Sequence, residues 1–348
     1  MDKKMKTLIV DEDGNLNVCE IPIPDINENQ ALVKTISCGI CNGTDAKLIH
    51  RKFKGVDKSE YPLMLGHEGV GKVIAVGKNV TSYKIGDVVL LPFVDANESL
   101  YEKLGSAWGA YSEYAVVNDV KAYGNIAPEC AYAQTIVPEN IDPVDAAMIV
   151  TLREVLSSIK RFGIKENQSI AVFGCGPVGL TFIKFMKILG VHPIIAFDVI
   201  DEKLEEARSK GADFAFNSKK CNSVEMIREI CPDGVQYVLD AVGILSIINM
   251  AMECICDQGK ICCYGISPEC CMQIDWSKAP YNWQIQFQQF PSKKEEGEAD
   301  RQILSWIQMG IIDLKDYISD YFAFEDILIA FDQLEKRKIA KKGIVVYQ

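Results

Sequence analysis

S169-I-A-V-F-G174-C-G176-P-V-G179-L-T-F-I-K-F-M-K-I-L-G190 decides the fold. Five residues of a short apolar strand lead into G-x-G-x-x-G, and an apolar helix follows at once. Gly174 allows the tight turn, Gly176 lets the backbone approach a pyrophosphate, and Gly179 lets helix and strand pack closely. Pro177 and Val178 open the helix, whose free N–H groups suit phosphate oxygens. The next strand, P193-I-I-A-F-D198, ends on a carboxylate about 20 residues on, as a dinucleotide site requires. Asp198 can accept protons from both ribose hydroxyls and repels a 2′-phosphate, so NAD is expected rather than NADP. Lys203 stands where it can reach the ribose, or it is a solvated helix lysine.

Outward from this unit the pattern repeats. D201-E-K-L-E-E-A-R-S-K210 reads as an exposed helix stopped by Gly211. F214-A-F, Y237-V-L-D240 and K260-I-C-C-Y-G265 read as further strands with helices between. This alternation predicts a doubly wound parallel sheet, an α/β fold. Upstream, residues 1–150 read as short strands separated by Gly, Pro, Asn and Asp. Downstream, helices are expected over about Glu298–Met309 and Phe324–Lys336, then a last strand G343-I-V-V-Y347. The predicted division is 1–150, 151–288 and 289–348, the last too short to fold alone and expected to return to the first, which makes the nucleotide domain an insertion.

The chain has 348 residues, 48% hydrophobic and 24% charged, enough for two globular domains. Its net charge of -11 argues against nucleic acid and anionic membrane surfaces, which call for clustered basic residues. No stretch approaches the roughly 18–20 apolar residues of a membrane span. The opening M1-D-K-K-M-K-T-L-I-V10 lacks a secretory apolar run, so the 13 cysteines are expected as reduced thiols of a cytoplasmic protein. Cys254, Cys256, Cys262, Cys263, Cys270 and Cys271 contain no C-x-x-C pair and read as small buried hydrophobes. His192 reads as structural or exposed; Trp108, Trp276 and Trp283 read as core, substrate or interface residues.

A second constellation lies in C38-G-I-C41-N-G-T44-D45 and G66-H67-E68-G-V-G71-K-V-I-A-V-G77. A thiolate, an imidazole and a carboxylate are suitable zinc ligands or supports of ligands. With the dinucleotide site, they point to hydride transfer at a metal-bound alcohol.

G66-H67-E68-x-x-G71-x5-G77-x-x-V80, G86-D87-x-V and G109-A-Y-S-E-Y114 together resemble the medium-chain zinc-dependent alcohol/polyol dehydrogenases over essentially the whole chain. The resemblance implies a GroES-like β-barrel catalytic domain, an inserted Rossmann domain, and a cleft between them for zinc and nicotinamide. It implies Cys41 and His67 as zinc ligands, Glu68 as the adjacent carboxylate, and Thr44 as the hydroxyl that takes the alcohol proton. Zinc lowers the pKa of bound water from roughly 16 to roughly 7, which is on the order of 12 kcal/mol if a bound alcohol responds alike.

Three departures stand out. Cys41-Asn42-Gly43-Thr44 has one residue more than the family's spacing, which makes Cys38 a rival ligand to Cys41. Val150 occupies the third-ligand position of A146-A-M-I-V150 and cannot bind metal, so Glu68, Glu154 one helical turn on, or water must complete the site. Glu154 can equally pair with Arg153 or Arg161, or face solvent. Lys47 stands at the position of the family's relay histidine, with His50 read as a surface residue. The resemblance also implies Lys342 at the cofactor pyrophosphate, and a homodimer or homotetramer associating through the Rossmann sheet edge. L91-P-F-V-D-A-N-E-S-L-Y-E-K-L-G-S106 lacks cysteines, so one catalytic zinc and no structural zinc are expected. The expected activity is NAD-dependent oxidation of a small secondary alcohol, a polyol or cyclitol. The rivals are a zinc-free quinone or enone reductase of the same fold and a non-catalytic nucleotide-binding relative.

Overall fold

A computed structural model describes residues 4–97, 101–267, 269 and 271–348. The chain divides into a first unit, Met1–Arg153 with Ser292–Gln348, and a second unit, Glu154–Pro291. The division falls inside the helix Ala147–Phe162.

The first unit is built on two sheets. One runs in the order Leu16–Pro22, Lys4–Val10, Leu63–Met64, Gly105–Ser106. The other runs Ile318–Ala323, Lys342–Val346, Gln30–Gly39, Gly69–Val76, Val88–Leu90, and Tyr114–Asn118 also pairs with Gln30–Gly39. Val33, Val73, Val89, Ala115 and Val117 alternate inward along their strands and, with Met5 and Met64, form a buried apolar cluster. The C-terminal strand Lys342–Val346 lies antiparallel to Gln30–Gly39, with Val345 opposite Cys38. This pairing carries Lys342 to the sheet that also carries the 38–41 segment.

The second unit holds one six-stranded sheet. Its order is Phe214–Asn217, Ile194–Asp198, Ile170–Phe173, Val235–Asp240, Ile255–Cys263, Trp283–Phe287. Every neighbouring pair is parallel. Numbered within the unit this is 3-2-1-4-5-6, the doubly wound order expected of a dinucleotide fold. Ile170, Ala171, Val172 and Phe173 are all buried, as a central strand covered on both faces should be.

Two elements differ from expectation. Trp283–Phe287 is a sixth strand at the sheet edge, where sequence reading saw only tryptophans. The helix expected from Glu298 begins at Lys293 instead, because Ser292 and Glu295 form a capping box. The charged run S292-K-K-E-E-G-E298 is the first turn of the helix, not a prelude to it. The alternation of the second unit and its strand order establish the α/β class.

Candidate active site

In the first unit, Cys41, His67 and Glu68 place one ligand atom each within 4.8 Å of one another. They form the one group of three or more such donors among the described residues. Cys41 ends the loop after the strand Gln30–Gly39, and the helix Thr44–Ile49 follows. The extra residue of C41-N-G-T44 is absorbed in an exposed turn. The Asp45 N–H donates to the Cys41 carbonyl at 2.9 Å, and the Cys41 N–H donates to Asp45 Oδ2 at 3.0 Å. Thr44 and Asp45 are buried beyond that turn. Cys38 is not in the donor group; it lies buried in the strand, and burial beside Asp45 pushes its thiol well up.

Asp45, whose role the motif does not reveal, faces the metal-ligand group. The Tyr111 hydroxyl lies 2.7 Å from Asp45 Oδ2 and 2.9 Å from the Gly39 carbonyl, and donates its one proton to the nearer carboxylate. Asp45 Oδ1 faces His67 Nδ1 at 3.6 Å, too far for a hydrogen bond. Both atoms are buried and neither has a hydrogen-bond partner. Burial works against the imidazolium, but Asp45 and the Cys41 sulfur outweigh it and raise the His67 pKa well above its usual value.

Glu68 is buried, with three of its about four acceptor sites taken. Lys342 Nζ donates to its two carboxylate oxygens at 2.8 and 2.7 Å, and the Thr151 hydroxyl donates to Oε1 at 3.1 Å. Burial raises its pKa, and the Lys342 ammonium and His67 reverse that and hold it below the usual carboxylate value. The carboxylate lies directly over Gly39, where a Cβ would sit 2.2 Å from Glu68 Oε2. Only glycine leaves room for it. His67 Nε2 lies 3.9 Å from Glu68 Oε1. Lys342, which the resemblance places at the cofactor, thus has Glu68 as its ion-pair partner within the first unit.

The helix Ala147–Phe162 accounts for the missing ligand. Val150 is buried in an apolar cluster with Leu91, Phe93 and Ala133. Arg153 is fully buried, donating to the Ala133 carbonyl at 2.7 Å and to Asp300 at 3.1 and 3.3 Å, with Glu296 at 3.6 Å. Arg153 is therefore committed to Asp300 and Glu296. Glu154 is half-buried, begins the second unit, and is not a member of the donor group. Lys47 is half-buried on the helix Thr44–Ile49, where burial lowers its pKa and the Cys41 sulfur opposes that. Two rings wall the donor group: Trp108 lies 5.2 Å from His67 and 6.2 Å from Phe53.

The donor set fits zinc. Its thiol, imidazole and carboxylate are the ligand types zinc takes, and the unpaired His67 Nδ1 faces a carboxylate that can orient a metal-bound imidazole.

In the second unit the glycines divide by cause. A Cβ on Gly174 would meet Val242 at 2.5 Å, and one on Gly179 would meet the Gly174 carbonyl oxygen at 1.9 Å. The protein itself demands those two. Gly176 has no protein atom within 4 Å of a Cβ built on it and an ordinary φ of -70. A glycine there has no internal cause, so the open space fits a ligand that comes close to the backbone. The helix Pro177–Ile188 begins beside it with no side-chain cap, so the Val178 and Gly179 N–H groups are offered to an anion. Asp198 Oδ2 accepts the Cys175 N–H at 2.7 Å, and Oδ1 accepts those of Val199 and Ile200 at 2.7 and 3.1 Å. A carboxylate has about four lone-pair sites, so one remains, on Oδ2. Asp198 can take one ribose hydroxyl, not the two expected. Lys203 is half-buried, near enough to Cys175 to lower its pKa against the larger effect of burial. These groups fit a dinucleotide.

The twelve described cysteines, Cys41 included, form no disulfides. Burial pushes Cys254 and Cys263 up to about 12, as suits core hydrophobes rather than ligands. Cys270 lies outside the described residues. His192 is largely exposed, with Nδ1 3.1 Å from Asp213, and His50 is exposed. Trp276 and Trp283 pack against each other at 5.7 Å. No helix among the described residues is long and apolar enough to cross a membrane.

Comparison with known proteins gives the family. Residues 27–125 match the alcohol dehydrogenase GroES-like domain and residues 177–294 the zinc-binding dehydrogenase family. An alcohol dehydrogenase of Geobacillus stearothermophilus is 30% identical over 284 residues, covering 76% of this chain and 79% of its own. The sorbitol dehydrogenase of Bacillus subtilis is 24% identical over 356 residues, covering 99% and 98%. The crystal structure of benzyl alcohol dehydrogenase from Acinetobacter calcoaceticus superposes with a TM-score of 0.83 at 20% identity, covering 99% of this chain and 100% of that one.

Proposed function

Because the chain belongs to the medium-chain zinc-type alcohol and polyol dehydrogenases, a family of oxidoreductases, we propose that it interconverts a secondary alcohol of polyol or cyclitol type and its ketone, with NAD as hydride carrier and one catalytic zinc. The observation that carries this reading is the buried convergence of Cys41, His67 and Glu68.

Cys41 and His67 hold the metal, with Glu68 as third ligand. Bound zinc would act as a Lewis acid that acidifies the substrate hydroxyl. The protein's own groups do the rest. Asp45, fixed by Tyr111, faces His67 Nδ1 and favours the neutral tautomer that carries its proton there. Lys342 and Thr151 hold the Glu68 carboxylate over Gly39. Lys342 also offsets one of the negative charges that a thiolate and two carboxylates bring to a buried place. Thr44, buried at the start of its helix, takes the alcohol proton as it gives up its own, and Lys47, as the neutral amine that its burial favours, accepts that proton and releases it to solvent. Glu154 contacts a substrate hydroxyl rather than the metal. In the second unit, Gly174–Gly179 takes the pyrophosphate on the Val178 and Gly179 N–H groups, and Asp198 takes a ribose hydroxyl and disfavours a 2′-phosphate. Lys203 supports the ribose. Lys342, besides holding Glu68, serves the cofactor pyrophosphate.

The protein acts as a homo-oligomer, a dimer or a pair of dimers, in a reducing, cytoplasmic setting. Trp283–Phe287 ends the second unit's sheet, and Ile285, Phe287, Tyr281 and Phe290 are exposed around it. An apolar strand with a free edge pairs with another chain unless something covers it.

The test is elemental analysis of protein purified without added zinc, together with NAD reduction over a panel of polyols, cyclitols and simple alcohols. About one zinc per chain and turnover of a secondary alcohol are expected. No zinc after reconstitution, with reduction of quinones or enones instead, would move the chain to the zinc-free branch. Nucleotide binding with no turnover of either kind would make it a non-catalytic relative.

A further inference from the structure

We propose that the alcohol this protein acts on carries an anionic group, drawn in by a basic rim that residues 47–58 place beside the donor group; the proposal rests on the reading of Cys41, His67 and Glu68 given above. The chain as a whole is acidic, with 37 Lys and Arg against 48 Asp and Glu. K47-L-I-H-R-K-F-K-G-V-D-K58 is the opposite: five basic side chains and the single carboxylate of Asp57.

The segment is fastened to the donor group at two points. Phe53 packs edge-on against Trp108 at 6.2 Å, and Trp108 packs on His67 at 5.2 Å. The helix Thr44–Ile49 runs from the Cys41 turn to Lys47, and the Lys52 N–H closes back on the Lys47 carbonyl at 2.8 Å. The rim therefore belongs to the first unit alone and stands a ring or two from the metal ligands.

Three of its five charges are not used up by the fold. Lys47 and Arg51 have partners, Arg51 donating to the Glu12 carbonyl at 2.7 Å beside the acidic turn 11–13. Asp57 and Glu60 are engaged with one another in a capping box, the Asp57 N–H donating to Glu60 Oε1 at 2.7 Å. Lys52, Lys54 and Lys58 are exposed, and none of the ion pairs among the described residues includes them. Like charges gathered without counterions repel and contribute nothing to folding. Their field does act on a diffusing anion: clustered charge of one sign raises association rates by about tenfold or more, and salt weakens the effect. A neutral polyol gains nothing from it. Steering of this kind works through the summed field, so it does not need each ammonium to touch the substrate.

The experiment uses the zinc- and NAD-loaded full chain and three matched substrates: a neutral hexitol, its phosphate monoester and the corresponding sugar acid. At low salt, kcat/KM for at least one anionic substrate is expected to exceed that for the hexitol by about tenfold or more, and to fall as salt rises to roughly 0.3 M, while the hexitol value stays level. The two anionic arms tell a phosphate ester from a carboxylate. Lys52→Glu with Lys54→Glu should lower kcat/KM for the anion by about tenfold and leave the hexitol within about twofold. Calorimetric titration of the phosphate monoester, with and without those substitutions, reads binding without turnover. If no alcohol reduces NAD but the phosphate ester still binds through the two lysines, the rim stands and the dehydrogenase reading fails. A hexitol preferred or equal to both anions, with no salt dependence, overturns the rim and leaves the dehydrogenase reading intact.

Discussion

The glycine loop of the second unit and the donor group of the first are both marked by short motifs, but they are assembled differently. Gly174, Gly176, Gly179 and Asp198 lie within 25 residues, and their geometry follows from two neighbouring parallel strands and one helix. The donor group draws on four separate places: the 41–45 turn, the 67–68 pair, Thr151 and Lys342. Lys342 and Glu68 are 274 residues apart, and sheet pairing alone brings them together. A contiguous site tolerates local error in a chain reading. A dispersed site depends on the fold being complete, so damage far along the chain reaches the metal ligands.

The sharpest way to break this comparison is at a ligand. Cys41→Ala should abolish zinc binding and cut alcohol turnover by about 10⁴-fold or more, the loss of several kcal/mol of charge stabilisation. NAD binding, read by fluorescence titration, should survive because the glycine loop owes nothing to Cys41. Cys38→Ala should keep the metal. The reverse pair of results would exchange the two cysteines.

Dispersed assembly also predicts a stability effect at Arg153. Its guanidinium is fully buried against Asp300 and Glu296 on the returning helix Lys293–Gln308. Arg153→Ala leaves Asp300 buried without its cation, while Glu296 keeps Lys293 at 2.7 Å, and should cost roughly 3–5 kcal/mol in chemical denaturation. A cost under about 1 kcal/mol would mean that this network does not tie the C-terminal return to the first unit.

The same contrast explains what could be read in advance. The doubly wound alternation, the glycine loop and the H67-E68 pair were legible because each repeats or clusters within a few residues. Asp45 was visible in the motif, but its orientation toward His67 depends on Tyr111, which comes from the bend before the strand Tyr114–Asn118. Thr151 follows Val150, and a search for metal ligands passes over it because a hydroxyl supports Glu68 rather than binding zinc. Lys342 was assigned to the cofactor on resemblance, since no local pattern ties a lysine at the end of the chain to a glutamate near its start. The strand Trp283–Phe287 was missed because an edge strand exposed on both faces lacks the apolar run that marks the buried strands beside it.

For the contiguous site the expected losses are smaller and separable. Asp198→Ala removes the acceptor of the Cys175 N–H and the charge that opposes a 2′-phosphate. The preference for NAD over NADP should narrow by about 10–100-fold, as for hydrogen bonds to a charged group. Most of that change should come from weaker NAD binding, and a wild-type protein that uses NADP equally well would remove Asp198 from its assigned role. Gly176→Ala should leave the midpoint of thermal unfolding nearly unchanged, since nothing in the protein meets the added Cβ. It should weaken NAD by about tenfold, or 1.4 kcal/mol. Gly179→Ala, with a contact of 1.9 Å to relieve, should destabilise the fold as well. Equal stability losses at the two positions would show that the space beside Gly176 is not ligand space.

Glu154 sharpens the comparison at its weakest point, because it lies at the first residue of the second unit while the donor group belongs to the first. Val150, one turn earlier, is packed among apolar side chains, so the helix face that supplies a ligand in the family supplies none here. If Glu154 contacts a substrate hydroxyl, Glu154→Gln keeps the shape of the side chain but exchanges a charged acceptor for a neutral one. That is worth about 1 kcal/mol, so kcat/KM for the alcohol should fall by roughly three- to tenfold. Zinc content should be unchanged, because Cys41, His67 and Glu68 hold the metal without it, and NAD binding should move by less than about twofold. Loss of zinc in this variant would make Glu154 the third ligand and return Glu68 to its partnership with Lys342 and Thr151. Turnover equal to the parent's, with stability changed by about 1 kcal/mol or less, would place Glu154 on an ordinary solvated face of its helix.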